Sequence, residues 1–169
     1  MPFFTNLTKE QVLSYLHSCS DEKLHALNNR IGNFIVTQLD TIETYEQHTK
    51  DTAEQIELLS NQLQKIDLDN KRLEAYNQNI LDNLPGNGAE RYLVLSALIP
   101  IHSPLAQRQH LNKLQNELGA SRHKIAWRRA EIKACKKELA LLNKVQTERV
   151  EARMQDTATK VMTANQLHL

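Results

Sequence analysis

Residues 42–84 read IETYEQHTKDTAEQIELLSNQLQKIDLDNKRLEAYNQNILDNL, and the fold follows from how this stretch divides into sevens. One series is Ile42, Thr49, Ile56, Leu63, Asn70, Asn77, Leu84. The other, three residues on, is Tyr45, Thr52, Leu59, Ile66, Leu73, Ile80. Nine of these thirteen positions are apolar, and neither Pro nor Gly interrupts them. That is the a/d seam of a coiled coil over six heptads. A helix with such a stripe must lay it on a partner.

The partner is expected within the same chain. Residues 104–163 carry a second seam, Leu111, Leu118, Ile125, Ile132, Leu139 with Leu114, Ser121, Arg128, Cys135, Leu142. Charge favours this pairing. Residues 39–90 hold eleven acidic and four basic side chains, residues 91–169 fourteen basic and six acidic, and the first 38 residues balance. Arms of opposite sign attract, whereas two copies of the acidic arm repel. Asn70 and Asn77, polar at a positions, would otherwise suit a parallel dimer of the first seam. An antiparallel register pairs Ile80 with Leu111, Leu73 with Leu118, Ile66 with Ile125 and Leu59 with Ile132. It brings Asn70 to Ser121, Asp67 to Arg122 and Asp69 to Lys124. Two of its layers fit badly: Asn77 meets Leu114, and Arg128 must pass Leu63.

The fold class expected is therefore all-α: a long antiparallel helical hairpin, with a short N-terminal helix thickening the base and a short apolar helix at the tip. The segments are 1–38 (N-terminal helical segment at the base), 39–84 (acidic arm), 85–103 (tip), 104–163 (basic arm) and 164–169 (frayed tail). Thr8 and Gln11 form a capping box for the first helix, and Ser20 before Asp21-Glu22 caps the next. Gly32 suggests a kink or brief break. Pro85-Gly86-Asn87-Gly88 ends the acidic arm, and Ser103-Pro104 starts the basic one. Val12, Leu13 and Leu16 are expected over Leu27, Ile31 and Phe34, beside Val150, Met154 and Val161, where a four-residue step breaks the heptads. Phe3, Phe4 and Leu7 are expected to pack next to the first helix.

Tyr92 to Ile101 is the most apolar stretch and reads as a short buried helix, too short to span a bilayer. Nothing else in the chain is left to cover it. Tyr92, Leu93, Leu95, Leu98, Ile99 and Ile101 are thus the candidate partner-binding residues, for a protein partner or a second copy. The other chemical-looking feature is basic: Arg122, Lys124, Trp127, Arg128, Arg129, Lys133, Lys136 and Lys137. Cations around a Trp suit phosphates and bases, so this is the candidate nucleic-acid face. Its bland reading is the solvated side of an arm neutralised by its acidic mate.

No catalytic, cofactor-binding or metal-binding residues are assigned. The seven histidines show no metal-ligand spacing, Cys19 and Cys135 no paired motif, and there is no phosphate-cradling Gly-rich loop. The chain reads as a non-enzymatic coiled-coil adaptor, scaffold or assembly subunit, oligomeric or protein-binding and cytoplasmic. Met1-Pro2-Phe3-Phe4 passes at once into polar residues, so no signal peptide is expected. A nucleic-acid-associated coiled coil is the alternative. Glu148, Glu151 and Asp156, followed by a polar end with Leu167, loosely resemble the C-terminal translocation signals of bacterial type IV secretion effectors. That resemblance implies a secreted effector as a weaker alternative.

Overall fold

The computed structural model describes residues 3–166, with side chains through Met162. Four helices follow in order, α1 (Lys9–Ser18), α2 (Asp21–Asp82), α3 (Gly88–Leu95) and α4 (Leu105–Gln166), and no strand occurs among the described residues. The two 62-residue helices pack antiparallel, as an all-α helical hairpin. α1 opens on the Thr8–Gln11 capping box. Ser20 accepts from the Lys23 amide at the start of α2. α2 is unbroken through Gly32, because the apolar stripe on both sides of it packs on one continuous core. α4 starts at Leu105, with the Pro104 carbonyl taking its first helical bond from the Arg108 amide, one residue later than the Ser103-Pro104 signal implies. It runs through Gln166, into the stretch expected to fray.

The chain divides into two compact units, Met1–Tyr45 with His123–Leu169, and Glu46–Arg122. The first holds the apolar core: Val12 and Leu16 of α1, Leu24, Ile31, Ile35 and Ile42 of α2, Ile125, Ile132, Leu142 and Val145 of α4, with Cys19 and Cys135. Leu13, Leu27 and Phe34 pack against it. Each such side chain, fully buried, contributes about 1.5–3 kcal/mol, so this cluster dominates the unit's stability.

Two polar devices lock α1 and the preceding residues onto the pair of long helices. Glu138 of α4 receives the amides of Phe3 and Phe4 on its two carboxylate oxygens, at 2.9 and 3.0 Å. The Phe3 ring stands edge-on to Phe34 with the Arg30 guanidinium on it, and Phe4 meets Tyr15. Leu7, expected to pack here, is exposed, because Asn6 turns the chain through positive φ before α1 begins. At the other corner Arg149 donates to the carbonyls of His17 and Cys19, at 2.8 and 2.7 Å, and to Asp21 at 2.7 Å. It thereby caps the end of α1 and grips the first residue of α2 at once.

That corner overturns one expectation. Val150, Met154 and Val161 do not join the bundle and are exposed. Asp21 opens α2 and already lies against Arg149 and Arg153, so α2 has no turns left to cover the rest of α4. The seam instead continues through Leu142 and Val145, with Gln146 and Arg149 half-buried.

In the second unit the predicted seam positions of α2, from Thr49 to Leu84, are all buried or half-buried, as are Leu111, Leu114, Leu118 and Ser121 of α4. Only two apolar side chains, Leu63 and Leu114, are buried there among the described residues. Thr52, Asn70 and Ser121 are buried polar side chains of the same unit, and Thr52 returns its hydroxyl to the His48 carbonyl.

The pairing register differs from the expected one. Asp67 meets Arg108, at 2.9 Å, and not Arg122. Asn70 bonds His102 and not Ser121. In the first unit, Lys124 lies over the Tyr45 ring and not beside Asp69. The cause is the connection. Residues 98–104 run back along α2 before α4 begins, so the last turns of α2 face this non-helical segment. A slide by whole heptads keeps the same stripe inward, so the heptads identify the seam residues without choosing their partners.

Candidate functional site

The second unit presents the most exposed apolar surface of the predicted kind. After α2 ends, Asn87 caps α3 by accepting from the Glu90 amide at 2.8 Å. No residue of α3 is buried within the chain, and only Val94 is half-buried, in keeping with an apolar helix that no other part of the chain is left to cover. Tyr92 is 73% and Leu93 67% exposed, and Leu95 is exposed as well. α3 winds down through a turn in which the Leu98 amide bonds the Leu95 carbonyl, leaving Leu98 half-buried. Ile99 and Ile101 are exposed at 42% and 48%, and Leu105 beyond them at 62%. Of the six residues predicted to bind a partner, the structure brings all into one chain segment and leaves five exposed.

Two asparagines hold this segment. Asn77 donates from Nδ2 to the Ile99 carbonyl (2.7 Å) and accepts at Oδ1 from the Ile99 amide (3.0 Å). Asn70 does the same for His102, at 2.7 and 3.0 Å. Each side-chain amide thus reads both main-chain groups of one residue, as a neighbouring strand would. The spacing explains the pairing. Seven residues of α-helix advance about 10.5 Å. Three residues of nearly extended chain advance about 10 Å. Ile99 and His102 are three apart, so Ile99-Pro100-Ile101-His102 is a nearly extended strap lying across two turns of α2. Pro100, which has no amide proton, falls between the two bonded residues. The Asn77 layer, a misfit in a helix-to-helix register, is the anchor of the strap.

The basic residues do not form one face. Arg128 turns inward, donating to Gln38 and stacking on Tyr45 at 5.7 Å, and Lys124 lies 5.4 Å from the same ring. Arg122, Arg129, Lys133, Lys136 and Lys137 are exposed. Arg129, Lys133 and Lys136 follow helical spacing along one stripe, whereas Trp127, 53% exposed, precedes Arg129 by two residues and so points to nearly the opposite side. A third surface was not foreseen. Val150, Met154, Thr157, Ala158, Val161 and Met162 line an apolar groove along the end of α4.

Among the described residues no three His, Cys, Asp or Glu side chains stand close enough to share a metal ion. Both cysteines are buried and free. Burial, then the Glu138 carboxylate, push the Cys135 thiol above its ordinary value, the reverse of what a nucleophile needs. Among the described residues no helix is long and apolar enough to cross a membrane. The tail residue Leu167 lies outside the described residues. No protein family, curated protein or solved structure matches this chain.

Sequence reasoning missed the strap, the Arg149 corner and the Glu138 grip. The strap had a signal in two heptad-spaced asparagines facing a Pro-containing apolar segment. The other two had none, since nothing local marks which Arg or Glu will reach a distant main chain.

Proposed function

We propose that the protein is a non-enzymatic helical-hairpin interaction subunit, an adaptor or assembly component, that docks another protein through α3 and the strap. The observation that carries this reading is the run of large apolar side chains left in water from Tyr92 to Leu105. Exposed apolar clusters of this kind cost solubility and are kept where a partner covers them. Tyr92 brings a rigid ring and a polar tip, the residue type favoured at interface centres. The nucleic-acid reading is weaker, because Lys124 and Arg128 are turned onto Tyr45 and Trp127 stands apart from the remaining cations.

The test is quantitative affinity capture from the source cells with wild type, Leu93→Asp and Leu98→Asp, with Lys133→Glu/Lys136→Glu as a charge control. The same proteins should be recovered by wild type and the charge control and lost with either Asp variant. Equal recovery by all four would remove the reading.

A further inference from the structure

The strap is held by its backbone, and that has a consequence for what else the site can hold. The four bonds from Asn70 and Asn77 all go to main-chain atoms of Ile99 and His102. The side chains of Ile99, Pro100, Ile101 and His102 are exposed. The grip is therefore blind to most of the strap's sequence. It demands only an extended chain with a free N–H and C=O on residues three apart.

Resting on the reading of this surface as a protein-docking site, we propose that the Asn70–Asn77 face of α2 is a binding site for an extended peptide of the partner, occupied in cis by residues 99–102. The ligand class is an extended or polyproline-like segment, its first and fourth residues not proline. Side-chain amides that grip the main chain at every third residue bind, like strand addition to a sheet edge, through backbone hydrogen bonds. A tethered occupant competes at millimolar effective concentration, so a bare peptide does not displace it from the intact chain. A partner that also covers Tyr92 and Leu93 gains the apolar burial needed to replace it.

The probe is a fluorescein-labelled peptide with the sequence of residues 97–103. The host is the full chain carrying Ile99→Pro and His102→Pro, which removes both strap N–H donors and leaves the asparagines intact. By fluorescence anisotropy the opened chain should bind the peptide at least about tenfold more tightly than wild type, since a competing occupant lowers apparent affinity by the fraction of sites it holds. Adding Asn70→Ala and Asn77→Ala to the opened chain should abolish binding, and so should proline at the first and fourth gripped positions of the peptide. An opened chain that binds no better than wild type, or whose binding survives loss of both asparagines, overturns the proposal.

A second measurement needs no variant. In wild type, the Ile99 and His102 amides should exchange with deuterium at least about tenfold faster than those of Leu63 and Leu114, as a detachable segment must. Exchange in step with those core positions also overturns it. Partner capture separates this inference from the reading beneath it. Capture lost with Leu93→Asp but kept with Asn70→Ala/Asn77→Ala removes the peptide site and leaves the docking surface. Capture kept with both removes the docking surface itself.

Discussion

Replacing Arg149 by Met tests the corner where three helices meet. The side chain is 23% exposed, and its guanidinium serves the His17 carbonyl at 2.8 Å, the Cys19 carbonyl at 2.7 Å and, more loosely, the Leu16 carbonyl at 3.4 Å. Met keeps the packing of the aliphatic stem and removes only the donors. Hydrogen bonds from a charged group each contribute about 1.5–3 kcal/mol net, and part of that is recovered by water reaching the freed carbonyls. A loss of about 2–3 kcal/mol follows. For a chain of this size each kcal/mol moves the melting temperature by about 2–4 °C, so Arg149→Met should melt about 5–10 °C lower. Thermal melts followed by helical circular dichroism, and by emission of Trp127 in the same unit, measure it. Arg153→Met is the control. Arg153 reaches only the exposed Asp21 carboxylate, so its shift should be under about 2 °C. Arg149→Lys should recover less than half, because one ammonium nitrogen cannot occupy both places from which Nη1 reaches Asp21 and Nη2 the carbonyls. Equal shifts for Arg149→Met and Arg153→Met would refute the reasoning, leaving the corner to Leu16, Leu24 and Val145 alone.

Hydrogen exchange should find the unit Glu46–Arg122 opening before the other, since its buried apolar side chains among the described residues are Leu63 and Leu114 against a cluster of twelve; uniform protection along α2 would contradict this. The Asp21 carboxyl is held below its ordinary value of 3.8 by hydrogen bonds from Arg153 and then Arg149. A carboxyl depressed in the folded state adds stability at every pH above its unfolded value and loses it as pH falls through the folded value. Asp21→Asn should therefore melt below wild type at pH 7, with the gap closing only below about pH 3.8; a gap that is constant with pH counts against the Arg pairing. Cys135, buried and with its thiol pushed up, should react with a thiol reagent only as the chain unfolds, so its rate should follow urea; fast labelling in native buffer would show an opening that the core packing denies.

The hairpin was legible because seam and charge are summed properties. Every seam position read from Ile42 to Leu84 is turned at least partly inward, and of the kink or brief break that Gly32 suggests the break is absent, since α2 continues through it. A single Gly costs about 1 kcal/mol in a helix, less than the burial of Ile31 and Ile35 on either side of it supplies. The exposed tip was legible for the complementary reason: Tyr92 and Leu93 had no remaining stripe to lie on, and they lie on none. The terminal stripe Val150, Met154, Val161 failed the same test. It was given to a bundle whose second helix begins only at Asp21, and an ion pair with Arg149 fixes where that beginning falls.

Register was illegible for a different reason. A heptad seam is degenerate under slides of seven, so its apolar residues cannot choose among registers; the discriminating residues are the polar ones placed in the seam. In a helix-to-helix register Asn70 and Asn77 would discriminate between helices, with Asn77 against Leu114 as a poor layer. They discriminate instead for a strap, because their 10.5 Å helical separation of about two turns equals about three residues of extended chain. Once Ile99 and His102 are anchored there, the start of α4 is set by Pro104 and the slide is decided, with Asp67 meeting Arg108 as its consequence. Asn70 and Asn77 therefore set where α4 begins in this unit, and they do so through main-chain atoms that any extended segment also possesses. The contact that holds the start of α4 is thus the same contact that, in the proposal above, a competing peptide takes.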